Sequence, residues 1–386
     1  MKTTGKRFLL IGVILIVVAT LPGLVAVTHA QSIGATPPAT PTPASSGSQP
    51  LGPDQFPSGV NSLTGLPVTD PHLLSLPPAL ISVTNFPVSA RPQAGLSFAS
   101  YVFELFIGKG MTRYLALFYG EYPRELPASD GSSALQADQA AIGPIRSGRL
   151  PYQSLRTLYN GFLVMASASS EVRSQLSNST NIFGSDNDNI NSALIDVTRL
   201  ESIAEANVTG KPQNLTGNLF NAAPPVGGQA APSLWVFYNF YNQIMWEYDT
   251  ASGAYLRSQD KADGSGNFYP STDRLTGGQL AFENVIVFAV EHKPLNGDGT
   301  LIDLNLLYTR DKAYLFRDGK VFPIFWSTLN GDYEKKTGQM RPVRFEDAQG
   351  NPFPLKPGNT WVEIVDLSTT LTEQQPGHWK ARFYAP

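Results

Sequence analysis

The segment YVFELFIGKGMTRYLALFY, from Tyr101 to Tyr119, contains two apolar and aromatic runs around the triplet Gly108-Lys109-Gly110. Glycines between two such runs are typical of a hairpin turn. We therefore predict a pair of buried antiparallel strands, Tyr101 to Ile107 and Met111 to Tyr119. This hairpin is the clearest structural signal in the chain, and it anchors the interpretation of the flanking segments.

The length of the turn decides where the charged side chains of this hairpin point. A three-residue turn places Glu104 opposite Tyr114, on the face away from Arg113. A two-residue turn places Glu104 and Arg113 on the same face, because a shift of one residue exchanges the two faces of a strand. The sequence leaves both registers open.

Helical and strand patterns alternate around the hairpin. Pro151 to Tyr159 has helical spacing, with Tyr152, Leu155, Leu158 and Tyr159 on one face. Ser169 is placed to cap a second helix. Leu80 to Phe86 and Phe162 to Ala166 are predicted strands. These elements indicate a mixed α/β domain, which we place at residues 59–215.

The second half of the chain is dominated by strand patterns. Asp318-Gly319 separates two of them as a tight turn, and Gln349-Gly350-Asn351 marks another turn. We predict an α+β protein in which a flexible connection at 216–232 leads to a mainly β domain at 233–386. The clearest strand patterns are Val285 to Glu291, Leu301 to Thr309, Ala313 to Arg317, Val321 to Ser327 and Thr360 to Val365.

The N-terminus has the pattern of an export signal. Three basic residues precede an apolar run from Phe8 to about Leu21, and Thr28-His29-Ala30 supplies small residues for cleavage. We predict a signal peptide at 1–30 and a disordered linker, rich in Pro, Thr and Ser, at 31–58. The alternative is a retained membrane anchor, if the helix runs on to Val27 and reaches the roughly 20 residues of a bilayer span.

Composition favours an exported, well-packed protein. The chain has no cysteine, which excludes disulfides, thiolate nucleophiles and lipid attachment through an N-terminal cysteine. Without the three basic residues of the signal, 25 Lys and Arg remain against 31 Asp and Glu. This acidic balance argues against nucleic acid, or an anionic membrane, as the main partner. We expect membrane association only through an uncleaved signal.

Two segments that place arginine beside proline and glycine are the best site candidates. They are Ala90 to Ser97, which contains Arg91, and Ile142 to Arg149, which contains Arg146 and Ser147. Arginine is costly to bury without a partner, and its planar fork suits carboxylates and phosphates. The candidate ligand-binding residues are Arg91, Arg113, Arg146, Ser147 and Arg149. The competing interpretation is structural, with Glu104 paired to one of these arginines.

Local catalytic motifs are missing from the sequence. It has no HExxH zinc motif, no GxSxG elbow and no phosphate-binding P-loop, and its histidines are isolated. Asp186 fits the start of a calcium loop, but Asn191 and Val197 occupy the places that require Gly and Glu. We predict no metal and no cofactor, with Glu104 as a weak catalytic candidate.

Several motifs together resemble the YerB-like family of bacterial lipoproteins, which has two domains of unknown function. In the first half they are Ala90 to Leu96, Gly110 to Tyr114 and Ile142 to Ser147. In the second half they include Asn284 to Val287, Phe316 to Gly319 and Pro357 to Val362. The resemblance implies an extracytoplasmic protein of two domains and no established activity.

Three positions depart from the family pattern. The lipobox cysteine is missing, Ser100 stands where an acid is common, and Gln213 stands where a histidine is common. These departures favour binding over catalysis. We therefore predict a non-enzymatic extracytoplasmic protein that binds an anionic or polar envelope ligand through an arginine-lined face of the first domain. The alternatives are a hydrolase or transferase acting on envelope glycan or peptide, and a structural or protein-interaction module.

Overall fold

The computed structural model describes residues 49–123, 140–184, 191–210 and 214–386. The predicted signal, most of the predicted linker, Asp186 and Gln213 lie outside these residues. Strands dominate the described part, with few helices, in agreement with the α+β class at the coarse level. The helices are α1 (Pro151–Tyr159), α2 (Ser170–Arg173), α3 (Val197–Ala206) and α4 (Asp332–Thr337), with short 3-10 helices at Pro71–Ser75, Val88–Ala90 and Leu96–Phe98. The strands are β1 (Ala79–Thr84), β2 (Tyr101–Phe106), β3 (Thr112–Phe118), β4 (Ala141–Ile142), β5 (Phe162–Met165), β6 (Ser179–Asn181), β7 (Ile195–Asp196), β8 (Gln229–Ala230), β9 (Ser233–Asn239), β10 (Asn242–Asp249), β11 (Ala254–Asp260), β12 (Phe268–Pro270), β13 (Ala281–Phe282), β14 (Asn284–Val290), β15 (His292–Pro294), β16 (Ile302–Leu304), β17 (Arg310–Arg317), β18 (Lys320–Ser327), β19 (Arg344–Glu346), β20 (Thr360–Asp366), β21 (Thr370–Gln375) and β22 (His378–Arg382).

A mixed sheet of eleven strands forms the centre of the molecule and draws on both halves of the chain. Its main order is β19-β18-β17-β14-β20-β2-β3-β1-β5-β6, and β8 pairs with β18. The two halves meet where β2 runs parallel to β20, with Glu104 beside Glu363. This pairing makes one continuous sheet from elements that are far apart in sequence.

The hairpin of β2 and β3 has the register of a three-residue turn. Phe103 pairs with Leu115 and Glu104 with Tyr114, and the Ile107 amide donates to the Met111 carbonyl at 2.9 Å. Gly110 closes the turn with a φ of 75°, and a Cβ atom there would overlap the side-chain amide of Asn239. Glu104 therefore points away from Arg113.

A second sheet of seven strands covers one face of the large sheet near β20. Its main order is β12-β11-β10-β9-β22-β21, and β13 pairs with β11. Trp246 from β10 and Trp361 from β20 meet at 5.4 Å between ring centroids. On the other face of the large sheet, Tyr159 of α1 contacts Tyr101 and Phe103 of β2. The core is therefore a layer of large aromatic side chains on each side of β2.

The two predicted helices of the first half are present. Helix α1 spans the predicted residues and buries Tyr152, Leu155, Leu158 and Tyr159. The Ser169 hydroxyl caps α2 by accepting the Val172 amide. None of the helices in the described residues has the length and apolar character needed to cross a bilayer.

Two segments assigned to linkers are more ordered than the sequence indicates. Leu51, within the predicted disordered linker, exchanges backbone hydrogen bonds of 2.8 Å with Phe220. Phe220 lies within the predicted flexible connection, yet it is fully buried. The packed body thus begins before residue 58. The low apolar content of these segments concealed the contribution of single anchoring residues.

In the second half, the tight turn at Asp318-Gly319 joins β17 to β18, with Arg317 paired to Lys320. The turn at Gln349-Gly350-Asn351 is also present, since the Asp347 amide donates to the Asn351 carbonyl at 2.8 Å. The predicted strand from Leu301 to Thr309 is regular only over Ile302–Leu304. Directly after it the Leu306 amide donates to the Leu304 carbonyl at 2.9 Å, and Tyr308 has a φ of 58°, so the second part is not extended.

Candidate arginine site

Arg113 lies on β3, and its side chain points toward the predicted arginine segment, Ile142 to Arg149. Its neighbours in the sheet are Thr84 of β1 and Leu105 of β2. The side chain is almost entirely buried, and Nη1 donates to the Ser147 carbonyl at 3.0 Å. This contact ties β3 directly to the segment that carries Arg146 and Arg149.

The arginine segment crosses the carboxyl ends of the parallel strands β1 and β5. The Arg146 amide donates to the Ser82 carbonyl at 2.9 Å, and the Arg146 carbonyl accepts the Ala166 amide at 3.0 Å. The Gly148 amide donates to the Ser167 carbonyl at 2.9 Å. These bonds fix the segment like an extra strand, so the positions of Arg146, Ser147 and Arg149 are set by backbone pairing.

Arg113, Arg146 and Arg149 form a cluster of like charges. Burial, followed by the charges of Arg149 and Arg146, lowers the pKa of Arg113 to about 9. Burial and the charge of Arg146 also lower the pKa of Arg149. Within the described residues, no carboxylate lies at ion-pair distance from any of the three. The cluster therefore holds positive charge that the described protein does not neutralise.

Two donors in this cluster have no acceptor in the described part of the chain. The Nε atoms of Arg113 and Arg149 are buried and make no hydrogen bond. Arg149 Nη1 reaches only the carbonyl of Gly148, at 3.1 Å. Buried donors without acceptors cost about 1–3 kcal/mol each, more when charged. An anion held here would supply both the missing acceptors and the missing charge.

Arg91 is bound elsewhere, between the two sheets. Its Nε donates to both oxygens of Asn85, at 3.2 and 3.0 Å, and Nη1 donates to the Asp260 carbonyl and the Tyr269 hydroxyl, each at 3.0 Å. Its guanidinium also lies over the ring of Phe86. These contacts give Arg91 a bridging position, and the charges that act on Arg113 and Arg149 do not include that of Arg91.

We expect Arg91→Ala to lower the free energy of unfolding by about 2 kcal/mol, because it leaves the acceptors of Asn85 and Asp260 without their donor. Urea denaturation measures the change. Arg199→Ala, at an exposed position on α3, is the matched control and should change stability by less than about 0.5 kcal/mol. Equal stability of the two variants would rule out the bridging role.

Glu104 does not pair with Arg91, Arg113, Arg146 or Arg149, so the predicted structural pairing is wrong in its partner. Its Oε2 accepts a hydrogen bond of 2.9 Å from Arg257 Nη2, and its Oε1 accepts the Thr112 hydroxyl at 2.6 Å. The reason is the register of the hairpin, which turns Glu104 toward the second sheet. Its partner comes from β11, in the other half of the chain.

A second carboxylate, Glu363, lies beside Glu104 on the neighbouring strand. Its Oε1 accepts the Trp246 indole N–H at 3.0 Å, and its Oε2 lies 3.1 Å from the Tyr238 hydroxyl. Burial, followed by the charge of Glu104, raises the pKa of Glu363 to about 8. Glu104 and Glu363 are both fully buried beneath aromatic side chains. The pair thus lies in a closed core rather than in a cleft.

Sequence reasoning missed Arg257 and Glu363, although a signal for them was present. Glu363 sits in the middle of the apolar run Trp361 to Val365, as Glu104 does in its own strand. A charge at the centre of a buried strand requires a partner. Two such glutamates on predicted core strands therefore implied a buried cation, but their positions did not indicate which one.

Comparison with known proteins places both halves of the chain in one family. The family description "Protein of unknown function (DUF3048) N-terminal domain" matches residues 63–222, and the corresponding C-terminal domain matches residues 235–362. The chain is 27% identical over 333 residues to "Putative lipoprotein YerB" of Bacillus subtilis (strain 168), covering 82% of this chain and 89% of that protein.

A solved structure supports the same fold. The crystal structure of YerB protein from Bacillus subtilis matches with a TM-score of 0.59 at 24% sequence identity, covering 79% of this chain and 96% of that one. At this identity the similarity concerns the fold alone.

Proposed function

The chain belongs to the DUF3048 family of proteins of unknown function, and from this premise we propose that it is an extracytoplasmic protein that binds an anionic envelope ligand. The binding site consists of Arg113, Arg146 and Arg149, with the backbone of Ser147 fixing their positions. The basic and apolar N-terminus supports export, and the name of the Bacillus relative, a lipoprotein, is consistent with an envelope location.

One observation carries this proposal: three guanidiniums interact with one another, and no described carboxylate pairs with them. Arginines that only hold segments together are normally paired, because burying their charge unpaired is unfavourable. Their segment also crosses the carboxyl ends of β1 and β5, and ligands of open α/β sheets bind at such ends. Forked N–H donors suit phosphate and carboxylate oxygens.

Arg146 is the residue whose replacement tests the site most cleanly. It is half-exposed, and its side chain makes no hydrogen bond or ion pair within the described residues. Its removal therefore takes away charge without breaking a described contact. Arg113, by contrast, is packed in the sheet, so replacing it would mix binding with stability.

We expect Arg146→Gln to weaken the binding of pyrophosphate or citrate to the full chain by tenfold or more, measured by isothermal titration calorimetry at constant ionic strength. The loss of one charge-assisted pair corresponds to about 1.5–3 kcal/mol. The unfolding midpoint of the variant should stay close to that of the parent.

Arg199→Gln is the matched control, since it also removes one arginine charge and should leave binding unchanged. The proposal fails if neither anion binds the parent protein, or if Arg146→Gln and Arg199→Gln bind equally well.

A catalytic role for Glu104 has less support, because glycoside hydrolysis needs two carboxylates that reach substrate, and Glu104 and Glu363 are closed to solvent.

A further inference from the structure

The outer side of the smaller sheet carries an aromatic–cationic face, formed by Trp235, Phe237 and Phe240 with Lys380 and Arg382. Along β9, Leu234 and Val236 are buried, and Trp235 and Phe237 point to the opposite, half-buried side. Strand β22 places Lys380 beside Trp235 and Arg382 beside Phe237. Rings and cations thus lie in two adjacent rows.

The three rings and Lys380 contact one another directly, and Arg382 lies over the ring of Tyr384. The rings of Trp235 and Phe237 lie 5.9 Å apart, and those of Phe237 and Phe240 lie 5.5 Å apart. The Lys380 ammonium lies 3.4 Å from the centre of the Trp235 ring. The face is therefore a continuous, ordered surface and not a set of scattered exposed residues.

The rings extend to the turn between β9 and β10, which forms the tip of this face and is held to the Gly110 carbonyl by Asn239 and Asn242 at 2.8 and 3.2 Å. There Phe240 is 70% exposed and Tyr241 is 59% exposed, so two consecutive large rings are open to solvent together. At about 3.3 Å per strand residue, Arg382 lies roughly 10 Å behind the tip and Lys380 lies farther back. The positive charges of Arg382 and Lys380 thus lie behind the aromatic tip along the strands.

The two cations of the face have no acidic partner among the described residues. Neither Lys380 nor Arg382 forms an ion pair there. Lys261 and Asp263 interact with each other in the loop whose Gly264 lies against the ring of Tyr241. Glu247 pairs with Ser233, which is on the far side of Trp235 from the tip. The face is locally positive although the whole chain is acidic.

We propose that the aromatic–cationic face docks on an anionic lipid bilayer, with Phe240 and Tyr241 entering the interface, Arg382 at the level of the lipid phosphates and Lys380 behind it. Aromatic side chains favour the membrane interface. Interfacial elements bury apolar groups to a depth of about 5–10 Å, and nearby cations add attraction to anionic lipids. A soluble polyanion without aromatic groups would use the cations but would leave the exposed tip without a role, and a single-stranded nucleic acid, whose bases could stack on the rings, is an outcome of the test below.

The chain offers a clean test because it contains no cysteine, so one introduced cysteine can be labelled uniquely. Tyr241→Cys and Tyr308→Cys, two tyrosines that are each 59% exposed, would carry a nitroxide in the full chain. On phosphatidylglycerol vesicles we expect the label at 241, but not at 308, to become accessible to oxygen and shielded from a soluble nickel chelate. This local measurement reports docking whether or not the N-terminus is anchored.

Charge variants complete the test. Adding Lys380→Gln and Arg382→Gln to the labelled chain should reduce the shielding at 241 at least severalfold, whereas Lys335→Gln with Lys336→Gln on α4 should leave it unchanged. Phosphatidylcholine vesicles should give little shielding. Equal accessibility at 241 and 308 on anionic vesicles would overturn the proposal. So would shielding at 241 by a soluble polyanion, such as single-stranded DNA, in the absence of vesicles.

Discussion

Arg257→Gln is expected to lower the free energy of unfolding by about 3–5 kcal/mol at neutral pH, the effect of removing one member of a buried ion pair. The guanidinium is fully buried and donates to Glu104, Gln259 and Ser271 at 2.9, 3.0 and 2.8 Å. Its replacement leaves the Glu104 carboxylate in the core without a cation. Urea denaturation followed by tryptophan fluorescence measures the loss.

The position of Arg257 between the sheets explains the size of this effect. Its guanidinium lies 4.7 Å from the ring centre of Trp361 and within 6 Å of the rings of Tyr114 and Trp246. Burial alone would lower the pKa of Arg257, but Tyr114, Glu104 and Glu363 raise it above its ordinary value. One cation thus holds β2 and β20 of the large sheet against β11 of the small one.

Arg310→Gln provides the matched control. Arg310 also combines a carboxylate, Glu346 at 3.6 Å, with an aromatic ring, Phe325 at 3.9 Å, but this pair is partly solvated at the surface. Surface pairs contribute about 0–1 kcal/mol, so this variant should remain near the parent stability. If Arg257→Gln were no more destabilising than Arg310→Gln, the buried pair would not hold the two sheets together.

Local patterns predicted the hairpin, α1 and the tight turns because neighbouring residues determine them. The parallel pairing of β2 with β20 could not be predicted, since either strand could have joined several others without changing its pattern of apolar residues. For the same reason the partner of Glu104 remained open. Its face depended on a turn of two or three residues, and its cation lay on a strand of the other sheet.

The same distinction between local sequence and strand pairing applies to the arginine candidates. Arg146 and Arg149 were identified from the local sequence pattern, because arginine beside glycine and proline between apolar runs is unusual. Arg113 joins them only through the pairing of β3 with β1. Arg91 has the same local signature but faces Asp260 and Tyr269. The local sequence thus indicated which arginines were candidates. The order of the strands determined which of these arginines lie together.

The buried cluster of Glu104, Arg257 and Glu363 is electrically neutral only if it holds one proton. The Tyr238 hydroxyl lies near both Glu363 Oε2 and the Ile364 carbonyl, at 3.1 and 3.3 Å, but it has one hydrogen to donate. A protonated Glu363 resolves this conflict, because it donates to Tyr238, which then donates to Ile364. The raised pKa of Glu363, about 8, agrees with this arrangement.

Glu363→Gln is therefore expected to remove a pH dependence of stability, since glutamine imitates the protonated acid. Between pH 4.5, the ordinary pKa, and about pH 8, the folded protein keeps a proton on Glu363 that the unfolded chain has lost. The contribution of Glu363 to stability is thus complete below pH 4.5 and decreases by up to about 1.4 kcal/mol per pH unit as the pH rises through this window. Above about pH 8 it is gone.

The measurement is the difference in unfolding free energy between parent and Glu363→Gln across this window, which cancels the titration of the other buried acids and of His292. The free energy of unfolding of the variant should be lowest relative to that of the parent at about pH 5. It should rise relative to the parent as the pH approaches 8. Glu346→Gln, which alters a partly solvated glutamate, should follow the parent at every pH. A constant difference between parent and Glu363→Gln would mean that Glu363 is ionised in the folded protein, and the cluster would then carry a net negative charge inside the core.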